Sequence, residues 1–318
     1  PHFHLQSYVQ RYFDQGMVMA FGFNHAEAIR SFRAAQALDP DCAMCFWGEA
    51  LATGPNINVT ANGKPVMTEA EQIAAYAALQ RALELAPDAP QIERDMIAAL
   101  ATRYTEEPVD DRTQIDIQYA QAMGELKASY PDDDDIAAMY AEAWMNTMPW
   151  DYWSDGSTPR PEAEQAIEAL ENVLARSPDH PLAIHLYIHA VEASDNPGRA
   201  EAAADRLVTL VPASGHLVHM PSHIYWRIGR YDDAARVNIM AAEVDEAYIA
   251  ACNAQGFYPA AYYPHNIHFL WAAASMAGQS ELAIESGEKV ASFVRLEDID
   301  QFPTVELFHT VPLLTRVQ

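Results

Sequence analysis

The chain has 318 residues, half of them hydrophobic, 20% charged and 10% aromatic, a balance that excludes intrinsic disorder. Its 45 acidic residues against 19 basic ones leave a net charge of −26, which repels phosphate backbones and anionic lipid and argues against nucleic-acid and membrane-surface roles. No apolar run reaches the roughly 18–20 residues that a membrane helix needs, so no membrane insertion is expected.

In chain order, the sequence opens at Pro1 and closes in an uncapped apolar stretch, Leu313-Leu314-Thr315-Arg316-Val317-Gln318, so it reads as a processed or truncated piece of a longer protein. His2 and His4 form a pair on a segment expected to be extended, and neither is residue 1, so an N-terminal histidine brace is not available. His25 is expected at a hairpin turn as the neighbour of a helix cap. Ala28, Phe32, Ala35 and Pro40 then mark a helix whose small residues admit a second helix and whose Pro ends it. Cys42 and Cys45 share one side of a helix and are expected to be buried or disulfide-bonded. Cys252 reads as a lone packing residue. Asp132 to Asp135 read as a solvated helix start, where carboxylates suit the helix dipole, and they lack the spacing of a calcium loop.

Alanine-rich segments of helical period continue to the end, and nothing alternates convincingly with period two, so the expectation is nearly all α. Weaker copies of one unit end at Ala82 to Pro87, Leu126 to Pro131, Leu174 to Pro178 and Leu207 to Pro212. Insertions interrupt them at about 53–68, 104–114, 147–160 and 250–263. Two of these are aromatic: Met148-Pro149-Trp150-Asp151-Tyr152-Trp153, expected as core more than as a lid, and Phe257 to Pro264, which leads straight into His265. Gly229-Arg230-Tyr231-Asp232-Asp233-Ala234-Ala235 with Ala241, and Gly278 with Ala283 and Val290, have the spacing of a tetratricopeptide repeat of about 34 residues. Such hairpins cannot bury their own faces and stack on their neighbours. The expected architecture is one domain over residues 1–318, a right-handed α-solenoid of about seven hairpins.

The histidines follow the repeat. His185 and His189 are four apart, as are His219 and His223, and the second pair lies 34 residues after the first. His216 and His219 are three apart, and so are His265 and His268. The phasing puts all of them on the first helices of three neighbouring hairpins, the helices that line the groove of such superhelices. Imidazoles at these spacings share a helix face and can co-ligate an ion, with the next helix supplying further ligands. His185, His189, His216, His219, His223, His265 and His268 are therefore the candidate ligand pool. Repeats also duplicate residues by descent, and a lone buried histidine is more often a hydrogen-bonded core residue. Imidazole suits several transition metals; Met220 puts copper first, with zinc or iron next, and Glu192 and Asp195 are nearby carboxylates. Pro221 between His219 and His223 either kinks their helix or starts a later one.

Phe23-Asn24-His25-Ala26-Glu27-Ala28-Ile29-Arg30-Ser31-Phe32, with Asp39-Pro40, Cys42-Ala43-Met44, Trp47-Gly48 and Gly54-Pro55-Asn56, resembles a family of bacterial exported tetratricopeptide-repeat proteins, as does His219-Met220-Pro221-Ser222-His223-Ile224. The resemblance implies the fold and a periplasmic or extracellular location, and supplies no activity. The leading expectation is a metal-binding repeat protein with a histidine-lined concave site, open to redox or hydrolytic chemistry. The rival is a non-catalytic scaffold that binds a peptide or partner protein, or that assembles with itself through uncapped repeat ends.

Overall fold

Phe32 shows how the helices come together. It is fully buried with Ala28 and Ala35 on one face of its helix, and it lies between two glycines. A Cβ on Gly16 would stand 2.6 Å from its ring, and one on Gly48 would stand 2.4 Å from it. Three consecutive helices therefore meet where two of them have no side chain. They are α1 (His2–Phe21), α2 (His25–Leu38) and α3 (Ala43–Thr53). The computed structural model describes residues 2–60, 67–295, 299–300 and 303–316. Residues 61–66 of the first insertion and Val317–Gln318 lie outside the described residues.

The described part is all α; its one extended feature is an isolated antiparallel bridge between Trp153 and Pro159. No described helix is long and apolar enough to cross a membrane. The segment holding His2 and His4 is helical, not extended, because α1 already runs from His2. After a short α4 (Ile57–Thr60) come α5 (Glu69–Leu85), α6 (Gln91–Ala101), α7 (Thr113–Ser129), α8 (Asp134–Thr147), α9 (Pro161–Arg176) and α10 (Pro181–Val191). Thr68 and Glu71 close α5 with a reciprocal capping box. Asp133 caps α8 through Ile136 N–H at 2.9 Å, with Asp134 and Asp135 in its first turn, as the aspartate run suggests. Then follow α11 (Glu201–Leu210), α12 (Gly215–His219), α13 (Pro221–Arg227), α14 (Tyr231–Cys252), α15 (Tyr263–Met276) and α16 (Ser280–Phe293). The helices gather into two compact units, residues 1–190 and 191–318.

The hairpin turns carry the repeat. Gly229 and Gly278 take φ of +83° and +72°, and the next amide reaches back to a carbonyl five residues earlier, Arg230 to Tyr225 at 2.8 Å and Gln279 to Ala274 at 2.9 Å. This left-handed closure favours glycine because a Cβ meets the neighbouring backbone. The first hairpin closes the same way, Asn24 to Met19 at 2.9 Å, but with Phe23 at φ +56° in the glycine place. Its ring is buried, so side-chain packing holds a backbone that a phenylalanine rarely adopts.

Cys42 and Cys45 form a disulfide at the start of α3. Cys252 is exposed, not packed, because it falls in the last turn of α14 where the helix has run past its partners. The aromatic insertion divides: Tyr152 is buried, whereas Trp150 is 42% exposed and has φ of +66°. In the second unit Tyr263, Ile267, Trp271 and Ala274 of α15 pack with Ala242, Ala283, Val290 and Val311.

Candidate metal centre

The second unit brings three imidazoles together. Pro221 cannot donate a backbone hydrogen bond, yet Met220 keeps helical angles of −50° and −38° and donates to His216 O at 3.0 Å. His223 N–H then reaches only to Met220 O at 3.2 Å, a three-residue step. The chain thus tightens at the proline, where α12 passes into α13 through the helical backbone of Met220. A later helix does start at Pro221, the first residue of α13, but His216 and His219 are not left off a helix, since α12 begins at Gly215 and holds both. His219 and His223 still share a face, with their Nε2 atoms 3.0 Å apart. From α15, His265 places its ring 4.8 Å from that of His219 and 5.7 Å from that of His223. One ligand atom from each of the three lies within 4.8 Å of the others. His219 and His223 are buried, and His265 is half-buried.

The partners of the far nitrogens assign the protons. Asn238 on α14 donates its Nδ2 to Ala234 O at 2.8 Å, which turns its carbonyl oxygen toward His219 Nδ1 at 2.6 Å. An amide oxygen only accepts, so this contact calls for the proton on His219 Nδ1, where the Ser222 hydroxyl also lies at 3.3 Å. Glu192 Oε2 stands 2.5 Å from His223 Nδ1, and a carboxylate there calls for the proton on that nitrogen. The two Nε2 atoms face each other at 3.0 Å, a contact that one shared proton or one shared cation satisfies. Two imidazoles sharing an ion at about 2.0–2.1 Å in tetrahedral geometry hold their nitrogens roughly 3.3 Å apart. Carboxylate and amide groups on the far nitrogen are the usual way in which histidine ligands are oriented.

His216 and His268 have other contacts. His216 stacks 5.7 Å from His219 and meets Tyr262 edge-on at 4.6 Å. Its backbone N–H donates to the Tyr258 hydroxyl, which donates to Asp245 Oδ1 at 2.8 Å, and Asn266 donates to Asp245 Oδ2 at 2.7 Å. Burial pushes the Asp245 carboxyl up to about 7. This network hangs on the second aromatic insertion, a π-helical turn over Tyr258–Tyr262 that runs directly into α15. His268 does not join the three. It stacks on Trp271 at 5.2 Å and faces Phe308 at 5.3 Å, and burial lowers its pKa. Met220 is buried, and Asp195 is exposed.

In the first unit, His185 and His189 stand one turn apart on α10 with ring centroids separated by 5.0 Å. His185 Nδ1 donates to Phe21 O at 2.6 Å, since a carbonyl can only accept. Phe23 lies 4.3 Å from His185, and Trp150 lies 5.0 Å from His189. Both of these aromatic residues are in left-handed backbone.

Sequence reasoning missed a second polar centre in this unit. His25 is more than a cap neighbour. Burial and the charge of Arg103 lower its pKa to about 4, and Asn56 lies 3.3 Å from its Nε2. Arg103, buried, donates to Pro55 O at 2.7 Å and lies over the Tyr119 ring. Glu142 is pushed up to about 7 by burial. His25, Arg103 and Glu142 line a cavity of about 20 Å³. Nothing in the repeat pattern singles out Arg103, in the turn after α6, or Glu142, within α8.

The hairpins, their left-handed closures and their successive packing define an all-α, tetratricopeptide-like helical repeat. No protein-family model matches the chain, and no curated protein matches it. Among solved structures it is similar to PilW, a widely conserved type IV pilus biogenesis factor, at 13% identity over 92% of this chain and 97% of that one, with a TM-score of 0.39. It is also similar to a tetratricopeptide repeat protein from Parabacteroides merdae, at 12% identity over 98% and 99% of the two chains, with a TM-score of 0.38. Human IFIT1, solved as a dimer with PPP-AAAA, aligns at 13% identity over 91% of this chain and 61% of its own, with a TM-score of 0.47.

Proposed function

We propose that residues 191–318 hold one transition-metal ion on His219, His223 and His265, with copper, zinc and iron as the candidate ions. The observation that carries this reading is the 3.0 Å approach of two Nε2 atoms whose far nitrogens both face acceptors. Glu192 and Asn238 orient the ligands and make them better donors. A periplasmic or extracellular location goes with this reading, supported by the Cys42–Cys45 disulfide, which suits an oxidising compartment. The test is metal content per chain by elemental mass spectrometry, on protein purified without chelators or a histidine tag. About one equivalent is expected, and its loss in a His219→Ala/His223→Ala variant with unchanged helical circular dichroism locates the site. Full stoichiometry retained in that variant sinks the assignment.

A second reading, a scaffold for a protein partner, is favoured by one feature of the first unit. A groove of about 920 Å³ is lined by Phe13, Met17, Trp47 and Met96 together with carboxylates that include Asp14, Asp41, Asp88 and Glu93, and none of the described residues lining it is basic. It suits a basic, amphipathic peptide. Fluorescence anisotropy with a Lys/Leu-rich peptide tests this, with binding that weakens as salt rises; an acidic peptide binding equally well removes the argument.

A further inference from the structure

The three-histidine reading leaves open which ion the site prefers and whether the ion can meet water. Phe269 answers both. It follows His265 by four residues on α15, so the two side chains share one helix face. Its ring centroid lies 4.9 Å from that of His219, 4.4 Å from that of His223 and 4.9 Å from that of His265. A ring nearly equidistant from three others caps one side of the triangle their centroids form, the side from which a fourth ligand completes a tetrahedron with them. Phenyl carbon offers no lone pair. Glu192 and Asn238 engage Nδ1, the far nitrogen of their histidines, and leave the Nε2 side to the ion.

We propose that Phe269 closes the three-histidine site to a fourth ligand and thereby makes it selective for copper(I), which it stores or carries. This rests on the metal reading above.

Zinc is almost always four-coordinate in proteins, and catalytic zinc keeps water in its fourth position. A water there would have to displace the phenyl ring. Copper(I) is a filled-shell ion that is satisfied by two or three neutral nitrogen donors, and its single charge is balanced by the Glu192 carboxylate one hydrogen bond away. A divalent ion leaves a net positive charge among buried rings, where desolvation is costly. The face of an aromatic ring within about 6 Å tolerates a cation. A closed site also leaves no open position at which a metal-bound water could be activated, so holding the ion, and not hydrolysis, is the chemistry that fits.

The test uses the full chain with Cys252→Ser, which removes the exposed thiol as a competing soft ligand, in ascorbate, which leaves the Cys42–Cys45 disulfide intact. Copper(I) is titrated anaerobically against bicinchoninate, zinc(II) against a chromophoric zinc chelator, and cobalt(II)-loaded protein is exposed to azide. The expected result is one copper(I) per chain, zinc(II) weaker by at least about tenfold, and a cobalt spectrum that ignores azide. Phe269→Ala should narrow the copper preference and make the cobalt spectrum azide-sensitive, whereas Phe269→Leu, which still covers the ion, should behave as the parent. Tight zinc(II) binding with an azide-sensitive cobalt spectrum in the parent overturns the closed site and leaves the metal reading standing. No uptake of any of the three ions overturns both.

Discussion

The histidine pair of the first unit and the histidine cluster of the second share a spacing and a repeat phase, yet they are held in different ways. His185 gives its Nδ1 proton to a main-chain carbonyl and is packed by Phe23, with Trp150 against His189. His219 and His223 are held by an amide on α14 and by the carboxylate of Glu192 in a turn, which leave two nitrogens facing across 3.0 Å. Helical spacing puts imidazoles on one face; the partners on their far nitrogens decide what the near nitrogens are for.

The largest effect that would break this comparison is structural. A Cβ on Gly215 would lie 2.0 Å from Asp245 Oδ1, inside the Asp245–Tyr258–Asn266 network that seats α12 against α14 and α15. Gly215→Ala is expected to destabilise residues 191–318 by about 3 kcal/mol, read by denaturant unfolding. A shift below a few tenths would show that Asp245 is not held in place.

Glu192→Gln sharpens the comparison at the site itself. An amide in place of the carboxylate weakens the pull on His223 Nδ1 and removes the balancing charge, and a ten- to hundredfold loss of metal affinity is expected, roughly what outer-shell partners contribute elsewhere. Chelator competition reads it, and unchanged affinity would mean that Glu192 orients nothing.

In the first unit the corresponding change is His185→Ala. It leaves the buried Phe21 carbonyl without its donor and opens space beneath Phe23, so a loss of about 2 kcal/mol is expected in unfolding. Stability within a few tenths of the parent would mean that the pair is not a packing element.

The smallest expected effect is a pH dependence in the polar centre behind His25. The folded Glu142 carboxyl titrates near 7, above its ordinary value, so its contribution to stability is present at low pH and is lost as pH rises through about 7. His25 is lowered to about 4, so its contribution is present above about 6.5 and is lost as pH falls toward 4. Glu142→Gln should therefore flatten the alkaline side, with a gain of about 1–2 kcal/mol at pH 8 and little change near pH 5. Melting temperature against pH reads it, and parallel profiles for parent and variant would show that Glu142 does not titrate in this range.

Much of the fold was legible because helix periodicity and turn chemistry are local. Gly229 and Gly278 announce left-handed closures, and Ala28, Phe32 and Ala35 announce a buried face. Phe23 does not announce its turn, because its backbone is held by contacts distant in sequence. Glu192 was legible as a nearby carboxylate, though not as the partner of one nitrogen. Asn238 and Phe269 carried no signal: each is an ordinary residue type on a helix whose period explains it, and its meaning comes from the ring it faces. Cys252 misled because small apolar character suggests burial, whereas its place in the last turn of a long helix exposes it.

By itself the sequence determined the α-helical hairpins, their interruptions and the faces on which the histidines lie, since spacing along a helix fixes direction about its own axis. Tertiary structure decided which imidazoles meet. His265 turns toward His219 and His223 while His268, three residues on, packs against Trp271 and Phe308. That outcome depends on the angle at which α15 crosses its neighbours, and the angle is set by side chains packing on several helices at once, which no single stretch of the chain encodes.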